Sequence, residues 1–387
     1  MRFAPVLFIF LTIASGCSAD SLSLMIPPLR PFSLANGPAR LGLDEQLWGY
    51  GGRGGDRAAL LQSLDRSIGY LRSRNAEKMY ASLSIPGVTL ERVQRSLARF
   101  RELVVESEDP FELQRRVRRE FEFFRSVGKD GQGSVKFTGY YAPVFRGSRV
   151  RTAKYRYPLY KLPADFFEWT GRHPGREQLE GADGLTPSPS LRGRELVFLE
   201  NRLDAFLVHV QGSTQILLDD GSSMSVGFAG ATKHPFVSIG QELVRDKKMR
   251  PYQVSLDSLR AYFDRNPEEL DRYLPRNDRF VFFKDLSGSH PRGSLGVEVT
   301  AERSIATDKS MMPPGALALI ATSLPFGNGK GGYSSRRVNR FVLDQDTGSA
   351  IRSPGRVDVY MGIGDEAGRR AGRINTRGEL YYLLLKG

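Results

Sequence analysis

Three stretches in the first third of the chain repeat apolar residues at helical spacing. The first begins near Asp56, after the glycine-rich GYGGRGGD, and sets Leu60, Leu61, Leu64, Ile68 and Leu71 on one face. The second sets Leu90, Val93, Leu97, Phe100 and Leu103 in the same rhythm. Both stripes read as core. The third opens with DPFE: Asp109 is the expected cap, Pro110 suits a first helical position that needs no N–H, and Glu112 can close a capping box. This helix is expected to stop near Gly128.

From Ser134 the pattern changes to short β-rich runs. VKFTGYYAPVF, YRYPLYKLP, AFLVHVQGSTQILLDDGSSMSVGFAG, RFVFFK and GSLGVEVTA alternate or cluster apolar and aromatic residues, and each is expected to form strands. DDGSS has the residues of a tight hairpin turn. Between these runs, residues 236–274 turn helical again, with a stripe of Leu256, Leu259 and Phe263 and a restart at NPEE, where Asn266 is the expected cap. Strands do not alternate with helices, which excludes a doubly wound parallel sheet. The fold class expected is mainly β with N-terminal helices.

Composition adds a compartment. The 387 residues are 40% hydrophobic and 26% charged, enough for two modest domains. Arg2 precedes an apolar run from Phe3 to Ala14, well short of the roughly 20 residues a membrane-spanning helix needs, and reads as a signal peptide over residues 1–17. Cys17, the single cysteine, follows directly in IASGC, where a thiol can receive lipid; cleavage after Ala19 is the alternative and would discard it. Neither route leaves a disulfide, so the fold rests on its own core. The net charge of +13 is spread along the chain without a basic block and reads as a solvated surface. Export argues against a nucleic-acid partner.

Glycine-rich GYGGRGG and GKGGYSS lack the ending of a phosphate loop, and GIGDEAG lacks the dinucleotide fingerprint. The four histidines are far apart, so no metal spacing exists, and no metal or cofactor is expected. Carboxylates remain. Asp346 and Asp358 sit in β-prone, apolar surroundings beside glycine turns, and two strands joined across the intervening loop could hold both at one mouth. A buried structural aspartate is the competing reading for each.

FTGYYAPVF with YRYPLYKLP, then VQGS, SIGQELV, IATDKSMMPPG, QDTGSAIRS and RVDVYMGIGDEAGRRAG keep their order and approximate spacing from residue 136 to the end. In these stretches the chain resembles the MltA-type membrane-bound lytic murein transglycosylases, whose C-terminal part is the three-aspartate module. The resemblance implies a double-psi β-barrel built from residues 40–140 and 280–387, an inserted β-barrel-like domain over 141–279, and a groove between them. It places the three aspartates at Asp308, Asp346 and Asp358, the last as catalytic acid. Substrate contacts are implied at Thr138, Gly139, Tyr140, Gln211, Gly212, Ser213, Gly348 and Tyr360. Ser349 and His209 depart from the family's pattern, which usually has glycine and an acidic residue there.

The family's reaction cuts the β-1,4 bond between N-acetylmuramic acid and N-acetylglucosamine with the sugar's own 6-hydroxyl, leaving a 1,6-anhydro end. One carboxyl can serve as acid and then base. The flanking Val357 and Val359 are expected to shelter Asp358 and keep its proton in place. Asp346 is left with three roles: raising the pKa of Asp358, electrostatic support of the sugar, or support of the loop through backbone hydrogen bonds. The rival readings are an inverting hydrolase, whose carboxyls stand roughly 6.5–9.5 Å apart, and a non-catalytic glycan-binding protein. The resemblance further implies peptidoglycan strands as partner, other wall enzymes as further partners, a monomer, and a place on the periplasmic side of the outer membrane through a lipid anchor alone.

Overall fold

A computed structural model describes residues 27–387 except 50–52, 255, 287–291, 330 and 349–350. The expected signal peptide, Cys17 and Ser349 lie outside the described residues. The chain divides into two compact units, the described part of Met1–Ala142 with Arg292–Gly387, and Pro143–Pro291.

The first unit opens with β1 (Leu29–Phe32), helices α1 (Arg57–Leu71), α2 (Arg74–Ala81), α3 (Leu90–Glu106) and α4 (Pro110–Glu120), then β2 (Phe121–Ser126) and β3 (Val135–Ala142). The second unit holds β4 (Val144–Ser148), β5 (Tyr157–Tyr160), α5 (Arg176–Glu180), β6 (Glu195–Leu199), α6 (Arg202–Gln211), β7 (Ser213–Leu218), β8 (Ser223–Ala231), α7 (Ile239–Arg245), α8 (Leu256–Arg265), α9 (Leu270–Tyr273) and β9 (Val281–Asp285). The chain then re-enters the first unit with β10 (Ser304–Ala306), β11 (Leu317–Gly327), β12 (Tyr333–Asp346), β13 (Arg356–Ile363), α10 (Gly364–Ala371) and β14 (Asn375–Leu385).

In the first unit β14, β11, β12, β10, β13 and β3 are neighbours in that order, and β3 pairs back to β14, which closes a six-stranded barrel. The pairings β10–β12 and β13–β3 are parallel and the others antiparallel. Further along, β14 pairs with β2, and β2 with β1. Helices cover one side of the barrel wall, so β11 reads LALIATSLPF and is buried at nearly every position, not at every second one. Phe100 of α3 lies 4.8 Å from the ring of Phe341 in β12 and 6.2 Å from that of Phe121. Val93, Leu97, Phe100 and Leu103 are fully buried, which is worth about 1.5–3 kcal/mol for each large side chain.

The third helix is shorter than its pattern suggests. Asp109 caps it, accepting the N–H groups of Phe111 and Glu112, but it ends at Glu120 and not near Gly128. From Phe121 the order Phe-Glu-Phe alternates buried and exposed, and strand pairing with β1 and β14 outweighs helix continuation. Glu112 closes its loop one residue early, accepting from Glu108 N. GSLGVEVTA forms no strand in its described length, only a bridge between Arg292 and Glu298.

The second unit has the strand order β5-β6-β4-β7-β8-β9, and a parallel bridge from Lys161 to Phe283 brings the two ends of the sheet together. The run AFLVHVQ is helix α6 and not a strand. Asn201 accepts Leu203 N and Asp204 N, and Gly212 ends the helix in the left-handed region at φ +78°. The turn at Gly221 joins β7 to β8 as the sequence predicts. Asn266 does not cap; its amide donates to Tyr262 O. The return to the first unit comes later than residue 280, because β9 pairs with β8.

Candidate active site

Strand register gathers the barrel's carboxylates. Thr138 on β3 is paired with Asp358 on β13, Asp358 with Ala306 on β10, and Ala306 with Asp346 on β12. A single row around the wall therefore carries Thr138, Asp358 and Asp346, with Asp308 two residues past Ala306. Side chains alternate along β13: Val357 and Val359 are fully buried, whereas Arg356 and Asp358 share the other face.

That alternation corrects one expectation. The two valines do not shelter Asp358, because a strand turns successive side chains to opposite faces. The neighbour that Asp358 does meet is Arg356, whose Nε donates to Asp358 Oδ1 at 3.0 Å. Thr138 Oγ1 also donates to Oδ1, and Arg356 Nη2 donates to Thr138 Oγ1 at 3.0 Å. Threonine, arginine and carboxylate thus lock one another's rotamers through Oδ1. Asp358 Oδ2 accepts no hydrogen bond among the described residues, and the side chain is 19% exposed.

Asp346 is held from three sides. Ser294 N and Thr347 N both donate to Oδ1 at 2.8 Å, and the Tyr140 hydroxyl donates to Oδ2 at 2.8 Å. Gly293 is required for this approach, since a Cβ there would lie 2.5 Å from Gln345 O. Tyr140 stacks at a tilt on Tyr360, 5.2 Å between ring centroids. Burial, followed by the charge of Asp346, pushes the Tyr140 hydroxyl well above the usual phenol range, so it stays a donor. Tyr360 is buried, and its hydroxyl has no hydrogen-bond partner among the described residues.

Asp308 starts a tight turn: Oδ1 accepts Ser310 N at 3.1 Å and Ser310 Oγ at 2.6 Å, and Oδ2 accepts Ser353 N at 2.9 Å. Burial works to raise its pKa, but the bonds from Ser310 and Ser353 and the charge of Arg352 outweigh it and hold the carboxyl below the usual aspartate value. Beneath it lies a buried pair that the sequence did not announce. Lys309 Nζ reaches Asp344 Oδ1 and the Asp346 carbonyl, each at 2.5 Å, and Thr307 Oγ1 at 3.0 Å. Asp344 also accepts from Thr307 Oγ1 and Tyr382 OH, each at 2.7 Å. Burial raises the pKa of Asp344 against the pull of Lys309.

The structure brings together Asp308, Asp346, Asp358, Thr138, Tyr140 and Tyr360. At Gly139 a Cβ would stand 2.7 Å from Ala371 Cα, so this glycine admits α10 on the face of β3 opposite Thr138 and Tyr140. Gly348 lies in the loop after β12, where its carbonyl accepts Ile351 N at 2.9 Å. In the second unit Gln211 and Ser213 are exposed on either side of the Gly212 turn. His209 is core there, with Nδ1 accepting Val281 N at 3.1 Å and its ring packed edge-on against Phe280 and Phe283. Arg356 and Lys309 were missed by sequence reasoning. The signal for Arg356 was its place two residues before Asp358 on a strand; Lys309 carried none.

The chain matches two family models, the MltA specific insert domain over residues 136–284 and the 3D domain over residues 303–384. It is 33% identical over 259 residues to membrane-bound lytic murein transglycosylase A of Escherichia coli K12, covering 66% of this chain and 67% of that protein. The solved lytic transglycosylase LtgG of Burkholderia pseudomallei is similar at 30% identity and a TM-score of 0.59, over 94% of this chain and 96% of that one. E. coli MltA with bound chitohexaose is similar at 26% identity and a TM-score of 0.61, over 92% and 95%. The chain belongs to the MltA family of membrane-bound lytic murein transglycosylases.

Proposed function

We infer that this protein is a peptidoglycan lytic transglycosylase that uses Asp358 as its acid and base. The observation that carries the reading is the register row that sets Asp358 beside Thr138 and two pairings from Asp346, with Oδ1 engaged and no hydrogen bond to Oδ2 among the described residues. The chitohexaose bound by E. coli MltA is a β-1,4-linked chain of acetylated glucosamine, which shares the linkage of such a substrate but lacks its muramic acid.

In this reading Asp358 Oδ2 gives its proton to the glycosidic oxygen as the bond to C1 breaks, and then takes the proton of the 6-hydroxyl as O6 bonds to C1. No water enters: O6 displaces the glycosidic oxygen at C1 of the same sugar, and the proton that O6 loses replaces the one given to the leaving oxygen, so atoms balance. Thr138 and Arg356 aim the carboxyl through Oδ1. Asp346, with both oxygens committed, serves as a pin for the loops at 294 and 347 in addition to placing negative charge near the sugar. Asp308 holds the turn to Ser353. Gln211 and Ser213 of the second unit, both exposed, offer hydrogen bonds to sugar hydroxyl and acetamido groups, with Gly212 setting their turn.

Among the described residues no helix is long and apolar enough to cross a membrane. Membrane association, as the relatives' names have it, is assigned here to lipid on Cys17 at the periplasmic face of the outer membrane; fatty-acid labelling that survives Cys17→Ser would refute it. Digestion of purified sacculi followed by mass analysis tests the activity: anhydro-ended products support it, and hydrolytic ends one water heavier select the inverting hydrolase.

A further inference from the structure

The ribbon formed by β3 and β13 carries a second row beside that of Asp358. Their parallel register pairs Tyr140 with Tyr360, Thr138 with Asp358, and Lys136 with Arg356. Residues directly opposite share a face, so one side of the ribbon reads aromatic, then hydroxyl with acid, then cation. The antiparallel neighbour β14 extends two of these rows: Asn375 stands opposite Thr138, and Arg377 opposite Lys136. Phe137 and Val357, which point the other way, are fully buried in the barrel core. Arg356, Lys136 and Arg377 therefore line up across three adjacent strands, two residues or about 7 Å along from the row of Asp358.

This row is held against its own repulsion, since like charges directly opposite on neighbouring strands destabilise a sheet. Lys136 and Arg377 are exposed, and neither forms an ion pair among the described residues. Arg377 Nη1 donates at 3.2 Å to an uncharged group, Ser134 Oγ. The carboxylates next to these strand positions are engaged elsewhere, Glu379 with Arg125 at 3.3 Å and Asp130 with the N–H groups of Gln132 and Ser134. Arg356 commits Nε to Asp358 and Nη2 to Thr138. Asp358 can thus balance one of the three cations. An anion from outside relieves the repulsion of the other two.

We propose that Lys136 and Arg377, beside Arg356, hold a carboxylate carried by the muramic ring that is cut, and so select acidic glycan over uncharged glycan. Which bond is cut rests on the proposed function. In that reading Asp358 stands at the glycosidic oxygen, so a side arm of the same ring can reach the neighbouring row, and a chain of acetylated glucosamine has no charge to offer it. One chemistry has two sources here: the lactyl carboxylate where no peptide is attached, or the acidic groups of an attached peptide. Lys136 and Arg377 touch no reacting atom, and their effect is on which substrate is held.

The test is calorimetric titration of the full chain carrying Asp358→Asn, so that no ligand is cut. The ligands are peptide-free murein tetrasaccharide, the same glycan with its lactyl carboxyls converted to methylamides, and the same glycan bearing its peptides. The methylamide is expected to bind about fivefold more weakly than one or both charged ligands, in keeping with exposed ion pairs. Tighter binding of the first ligand assigns the lactyl carboxylate, and of the third the peptide. Lys136→Gln combined with Arg377→Gln is expected to abolish the preference while affinity for the methylamide stays within about twofold, and each single change is expected to reduce it. The double variant is expected to melt at the same or a higher temperature, because like charges leave the row. Equal affinity for all ligands, no binding of any, a preference that survives the double variant, or a lower melting temperature overturns the proposal. Product analysis of the unmodified protein on sacculi, run in parallel, separates the two readings. Hydrolytic ends with the preference kept overturn the proposed function alone; anhydro ends without a preference overturn this proposal alone.

Discussion

Replacing Lys309 by methionine leaves Asp344, a carboxylate with no exposed surface, without the ammonium that now meets it at 2.5 Å. Breaking a buried pair from one side costs about 3–5 kcal/mol, because the remaining charge is uncompensated. The hydroxyls of Thr307 and Tyr382 still reach Asp344 at 2.7 Å and offset part of this, which puts the expected loss near about 3 kcal/mol. Burial already raises the pKa of Asp344 with Lys309 present. A carboxyl raised on folding contributes stability that is full below its unfolded value and lost as pH rises through its folded value. Removing the lysine takes away the attraction that opposed the rise, so the deficit is largest near pH 8 and shrinks as pH falls. Urea unfolding followed by far-ultraviolet circular dichroism at pH 8 and pH 5 measures it, and Lys309→Met combined with Asp344→Asn is expected to regain most of the loss. Because Lys309 also holds the Asp346 carbonyl, glycan cleavage is expected to fall further than the folded fraction does. A loss below about 1 kcal/mol, or a deficit equal at both pH values, would refute the reasoning.

Thr138→Val removes the hydroxyl that links Arg356 to Asp358 and is expected to lower kcat about tenfold, in line with a hydrogen bond to a charged group worth about 1.5–3 kcal/mol; an effect confined to KM would count against it. Tyr140→Phe frees Asp346 Oδ2 and is expected to cost about 1–3 kcal/mol of stability while lowering activity, checked by thermal melting beside a turbidity assay on sacculi. Asp308, held below its ordinary pKa, contributes stability that is present above its unfolded value of about 3.9 and lost as pH falls through the folded value. Asp308→Asn is therefore expected to flatten the acid side of the stability curve, and a constant offset from pH 7 to pH 2 would contradict this.

Local signals were read from the sequence more reliably than long-range ones. The stripes of α1 and α3, the cap at Asp109 and the turn at Gly221 depend on neighbours within a few residues and appear where the pattern places them. The end of α4 carries no glycine or proline, and β2 exists because β1 and β14, distant in sequence, supply its partners. AFLVHVQ is almost wholly buried, so its periodicity carries no helix signal; only the cap at Asn201 distinguishes it from a strand. Asp346 and Asp358 stood out by their β-prone, apolar settings and Asp308 only through family resemblance, and the register row is what brings Asp346 and Asp358 onto one line of the wall. What neighbours in sequence could not give was facing. Val357 and Val359 flank Asp358 in the chain but turn away from it, while Arg356 and Thr138 complete its surroundings. A lysine such as Lys309 reads as surface until the fold buries it.

The central claim is that Asp358 moves the proton in glycan cleavage. Asp358→Asn keeps the size of the side chain and removes the exchangeable acid, so the variant should remain folded with an unchanged melting temperature and lose about 10²–10⁴-fold in the rate of anhydro-ended product release from sacculi, followed by mass spectrometry. Near-normal release of those products by the folded variant would contradict the account.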